Sequence, residues 1–150
     1  MDEQHLGNGE DALTLPWHDS ARVMVCVGYN PVSQRLIRRA GQIAQALNGE
    51  LIAVHIQPGE SEAPGYQTML EQNLAMARRL GARIVVERGG AMAETLAETL
   101  ARVAQANGVT HIVMGESARS RWAEIRHGSL VRQLLRASQG IDVYIVADPA

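Results

Sequence analysis

The fourteen residues from Gly115 to Gly128 (GESARSRWAEIRHG) gather the groups in this chain best suited to holding an anion. They follow a short apolar run and precede a helical pattern that starts at Ser129. A strand-to-helix connection of this kind usually needs about 2–6 residues, and longer ones tend to be functional. Ser129 is a natural N-cap, and the free N–H groups of a helix start suit a phosphate. Arg119, Arg121 and Arg126 lie in the same loop and can add charge-assisted contacts. The competing reading is a surface loop whose arginines are solvated and whose serine only caps a helix. A second wall is expected at Gly28-Tyr29-Asn30-Pro31. There Gly28 permits close backbone approach, Asn30 serves as N-cap and Pro31 fits the first helical turn. A strand–turn–helix without a ligand explains those four residues equally well.

Other groups carry less chemistry. Cys26 falls inside an apolar run, where a lone cysteine is a small hydrophobe and not a nucleophile. His5, His18, His55, His111 and His127 show no zinc-ligand spacing, so no metal is expected. His55 and His111 read as satisfied residues of strands, and only His127 borders the anion loop. Trp122 reads as folding back onto the domain. There is no nucleophile elbow, no H-E-x-x-H and no paired carboxylates beside a base. No catalytic residue is expected.

The elements that must position these loops alternate regularly. Strands are expected at Arg22–Val27, Leu51–Ile56, Arg83–Glu87, His111–Met114 and Ile141–Val146. Helices are expected at Pro31–Leu47, Tyr66–Leu80, Ala91–Asn107 and Ser129–Ser138, with apolar stripes such as Leu36, Ala40, Ile43 and Leu47. Asn48-Gly49, Gly81, Gly108 and Gly140 follow the four helices, and glycine takes the left-handed C′ conformation without a Cβ clash. Near-continuous apolar strands joined by helices specify an α/β, doubly wound, five-stranded parallel sheet. In such sheets ligands bind beyond the carboxyl ends of the strands, where strand order reverses. Met1–Leu15 is polar and aperiodic and reads as a disordered tail or linker. The folded domain is expected to begin at Pro16-Trp17 and to cover 16–150. The apolar strand Ile141–Val146 is expected to be covered or paired at its edge, which points to a homodimer.

Composition narrows the function further. All 14 basic residues are arginine, so no Walker-A lysine, pyridoxal Schiff base or kinase strand lysine exists in this chain. There is no phenylalanine, and aromatics make up only 3% of residues, too few for a base-stacking platform. The net charge of −2 argues against electrostatic binding to nucleic acid or anionic membrane. Residues 1–20 hold Asp2, Glu3, Glu10, Asp11 and Asp19 and no base, leaving a mildly basic remainder. One cysteine excludes an internal disulfide, and no apolar run is long enough to span a membrane.

The loop Gly115-x2-Ala118-x9-Gly128-Ser129 resembles the universal stress protein nucleotide motif G-x2-G-x9-G-[ST]. It departs from it at Ala118, which replaces the second glycine. Gly28 also stands where ATP-binding members carry an aspartate at the end of strand one. From Pro16 onward the chain is most similar to the universal-stress-protein-like domain of KdpD-type potassium sensor histidine kinases. The stretches PW at 16–17, CVGYN at 26–30, GESARSRWAEIRHGSLVRQLLR at 115–136 and IDVYIV at 141–146 carry this resemblance. It implies strand order 3-2-1-4-5, with the switch point between strands one and four. It implies a regulatory, non-enzymatic module of a longer, cytoplasmic, membrane-anchored sensor, in contact with that sensor's other domains. ATP and cyclic di-AMP are the ligands it implies. The ligand-binding residues expected are Gly28, Tyr29, Asn30, Gly115, Ala118, Arg119, Arg121, Gly128 and Ser129. The alternatives are an interaction or dimerisation module with a degenerate pocket, favoured by the two departures, and a free-standing stress protein.

Overall fold

The computed structural model describes residues 20–29, 31–57, 65–89, 94–115 and 130–147. The tail expected at 1–15 and the proposed domain start at Pro16 lie outside them. Five strands alternate with four helices in the expected order. They are β1 (Arg22–Cys26), α1 (Val32–Ala46), β2 (Glu50–Gln57), α2 (Tyr66–Arg79), β3 (Arg83–Arg88), α3 (Leu96–Ala106), β4 (His111–Gly115), α4 (Leu130–Ala137) and β5 (Asp142–Val146). All strand pairs are parallel, and the sheet order is β3-β2-β1-β4-β5. β1 therefore lies between β2 and β4, and chain direction across the sheet reverses there.

Strand alternation sends successive side chains to opposite faces and divides the core into two layers. On one face Val23, Val25, Leu51, Ala53 and Val113 pack against Leu36, Ile37 and Ala40 of α1 and Leu70, Leu74 and Ala77 of α2. On the other, Met24, Ile52, Val54, Ile112 and Met114 pack against α3 and α4 through Leu100, Val103, Leu130 and Leu134. The central strands are covered on both faces. The edge strands are not: Val86 in β3 and Tyr144 and Ile145 in β5 are exposed.

Three local expectations need correction. The buried stripe of α1 is Leu36, Ile37, Ala40 and Ala44, while Leu47 stands outside at 40% exposure. Sheet geometry, not the best apolar spacing, decides which face turns inward. After α1 it is Asn48 that takes the left-handed conformation (φ 56°), whereas Gly81, Gly108 and Gly140 do so after the other helices. Gly49 serves a different purpose, because a Cβ there would run into the Ala21 carbonyl. α3 begins at Leu96 and not at Ala91. Thr95 Oγ1 accepts from the Glu98 N–H at 3.1 Å, and the Glu98 carboxylate accepts from the Thr95 N–H at 2.9 Å. This capping box is worth about 1 kcal/mol and marks the helix start.

Candidate functional site

The carboxyl ends of β1, β2 and β4 open onto one cavity of about 410 Å³ at the switch point between β1 and β4. Gly28 and Tyr29 from the β1–α1 connection and Gly115 from the end of β4 line it together. α4 opens at Leu130, which also lines the cavity, so this helix start borders the site. Three of the expected site residues are thus brought together. Asn30, Ala118, Arg119, Arg121, Gly128 and Ser129, with Arg126, Trp122 and His127, lie outside the described residues.

The expected N-cap role of Asn30 is not visible for that reason. Pro31 occupies the cap position with helical dihedrals (φ −64°, ψ −22°) and no side-chain cap. The connection is held by other means. The Gly28 N–H donates to Ser33 Oγ at 3.2 Å, and Asn73 Nδ2 donates to the Gly28 carbonyl at 2.9 Å. Both side chains are buried, so the Gly28 backbone is fixed from α1 and α2 at once. Among the described residues a Cβ at Gly28 would meet only Ser33 Oγ, at an ordinary 3.6 Å. Packing of the described residues therefore does not demand glycine there, and Gly28 lines the cavity.

His55, expected as a satisfied residue of a strand, also borders the cavity. It is 2% exposed in β2 and is hydrogen-bonded, as expected of a structural histidine. Nδ1 lies 2.8 Å from the Val27 carbonyl, which can only accept, so Nδ1 carries the proton. In the neutral ring Nε2 then accepts from the Tyr29 hydroxyl at 3.1 Å. The Tyr29 ring meets His55 edge-to-face, with centroids 4.9 Å apart, and also contacts the Tyr66 ring. Tyr29, His55 and Tyr66 form an aromatic wall built from three separate elements. One signal was available for His55: it sits near the carboxyl end of a strand adjacent to β1. His111, by contrast, stands at the opposite end of the sheet beside Asp142, 3.5 Å away.

Cys26 lines the cavity too, and burial pushes its thiol up to about 12. Relative to an ordinary thiol, the thiolate fraction at pH 8 falls roughly a thousandfold. Alkylation of the folded protein by iodoacetamide is expected to be correspondingly slow and to match the free thiol only after unfolding. The sign for stability follows directly. Below about pH 8.5 the thiol is neutral in both states. Above that the unfolded chain ionises while the fold stays protonated, so this contribution declines as pH rises toward 12. Urea midpoints of wild type and Cys26→Ala at pH 8 and pH 10.5 check it, with the wild type losing more.

The described lining contains no aspartate, glutamate or arginine. Apolar groups (Leu100, Met114, Leu130) and the aromatic wall face a neutral space suited to a flat, partly polar molecule.

A family model described as the universal stress protein family matches residues 20–147. The chain belongs to the universal stress protein family. Among curated proteins this stress-protein chain is similar to the sensor protein KdpD of Mycobacterium tuberculosis, at 33% identity over 138 residues. That match covers 92% of the chain and 16% of the sensor, so the chain spans a small part of that relative. Among solved structures it is similar to a universal stress protein in complex with cAMP, with a TM-score of 0.65 and 24% identity, covering 87% of this chain and 98% of the other. The Archaeoglobus fulgidus universal stress protein in complex with dAMP gives a TM-score of 0.55 at 14% identity, covering 87% and 98%. These two likenesses support the fold. No helix among the described residues is long and apolar enough to cross a membrane.

Proposed function

We propose that this stress-protein domain is a regulatory, ligand-sensing module of a KdpD-type potassium sensor histidine kinase, and that it binds an adenine-type nucleotide without turning it over. The observation that carries the reading is the cavity at the β1–β4 switch point, on which Gly28, Tyr29 and Gly115 converge. Its neutral aromatic wall suits a nucleoside. The charge of a phosphate is met by the loop after β4, through Arg119, Arg121 and the Gly128-Ser129 helix start. The cAMP and dAMP carried by the two structural relatives support the same ligand class. ATP and cyclic di-AMP are the leading candidates, Ala118 and Asn30 complete the proposed contact set, and the parent sensor is cytoplasmic at this domain. Turnover is not part of the reading, because no acid–base pair lines the described wall.

Thermal denaturation with ATP, AMP, cyclic di-AMP and sulfate tests this reading, since a ligand specific for the native state raises the midpoint with the logarithm of its concentration. A nucleotide is expected to raise it and sulfate to raise it less. Gly128→Val is expected to remove the nucleotide effect while leaving the protein folded. Equal nucleotide binding by folded Gly128→Val would remove the loop from the site.

A second reading, a dimerisation module, is favoured by β5. Among the described residues this strand has one sheet neighbour and leaves Tyr144 39% and Ile145 40% exposed. An open apolar edge of this kind pairs readily. Sedimentation equilibrium is expected to give a dimer mass that Ile145→Lys returns to monomer. A wild-type monomer at high concentration would end the reading.

A further inference from the structure

A second groove, of about 780 Å³, lies at the opposite end of the sheet from the nucleotide cavity. It runs between the C-terminal halves of α1 and α2, over the start of β2. Leu51 and the 45%-exposed Leu80 form its apolar floor: a Cβ on Gly41 would sit 3.5 Å from Leu80 and 3.9 Å from Leu51. Arg38 and Arg83 line its rim. The one acid among the described lining residues, Glu50, is engaged by Arg22 at 3.6 Å. The groove is therefore apolar at the base and basic at the edge.

The chain enters the fold at this spot. The Ala21 carbonyl accepts from the Glu50 N–H at 3.0 Å, and Gly49 of the groove lies directly against Ala21. The segment leading into Ala21 carries five acids and no base in residues 1–20. Between Asp11 and Asp19 it places Leu13, Leu15 and Trp17 at every second position, the spacing that puts three apolar side chains on one side of an extended chain. Acid and apolar groups thus match the rim and the floor, and the tether makes the encounter intramolecular.

We propose that residues 11–19 dock in this groove, with Leu13, Leu15 and Trp17 toward Leu51 and Leu80 and the flanking aspartates toward Arg38 and Arg83. The consequence is a contact between the entry segment and the face opposite the ligand cavity, reached through α1, whose other end supplies Ser33 to that cavity.

The test uses the full chain with Trp122→Phe, in which Trp17 is the sole tryptophan. Its emission is expected to be blue-shifted, with acrylamide quenching several-fold weaker than in a peptide of residues 1–20. Adding Leu80→Asp or Arg38→Glu, both at exposed positions that leave the core intact, is expected to return quenching to the peptide's level. Peptide-like quenching in the parent overturns the proposal. So does protection that survives both groove variants. Protection that grows with protein concentration also overturns it, because the segment then docks on another copy.

Discussion

Gly49→Ala is expected to destabilise the protein by about 3 kcal/mol or more, the largest effect of any single methyl added to a described glycine. The added carbon would overlap both the carbonyl and the Cβ of Ala21, and backbone cannot swing aside as a long side chain can. Relief requires β1 to move relative to β2, in a pair whose register runs from Arg22–Glu50 to Cys26–Val54. Overpacking of a rigid site typically costs about 1–3 kcal/mol, and this clash is at the severe end because it involves backbone. Gly28→Ala is the control. Among the described residues its new carbon meets only Ser33 Oγ at 3.6 Å, so it is expected to be neutral or to stabilise by up to about 1 kcal/mol through the unfolded chain. Urea denaturation of the two variants decides the matter. Similar midpoints for both would mean that the approach of Gly49 to Ala21 is not rigid.

Gly28→Asp is expected to tighten adenine-nucleotide binding by about ten- to a hundredfold. Among the described residues a Cβ there meets only Ser33 Oγ at 3.6 Å, and the carboxylate would enter a wall whose described lining holds no other charged side chain. A hydrogen bond from a ligand hydroxyl or amino group to a carboxylate contributes about 1.5–3 kcal/mol when partly desolvated, which is that range of affinity. Titration calorimetry with AMP and ATP is the measurement. The gain should appear for nucleotides and not for inorganic phosphate, because the new acceptor serves the nucleoside and repels a bare anion. An unchanged affinity for nucleotide would place the nucleoside away from the end of β1.

How much of this was legible beforehand can be followed residue by residue. The strand and helix order came from alternation alone: RVMVCV and HIVM are short apolar runs, and Gly81, Gly108 and Gly140 punctuate the helices, each with positive φ. Local chemistry suffices there, since those signals act within one or two turns of chain. The 3-2-1-4-5 order came with the resemblance, because periodicity carries no information about which strands are neighbours. The start of α3 is written in Thr95-x-x-Glu98, a capping box that the helix expected from Ala91 overran. The convergence of Gly28, Tyr29 and Gly115 followed from that implied order, which sets the ends of strands one and four side by side, together with the rule that ligands sit at strand ends. Tertiary structure alone decided the rest. It joined His55, Tyr66 and Ser33 to that site, because the contacts of Tyr29 with His55 and of Gly28 with Ser33 and Asn73 cross between elements. It also turned Leu47 outward and set Gly49 against Ala21. These outcomes depend on how a helix sits on a sheet and how closely two strands approach, and a one-dimensional pattern records neither distance.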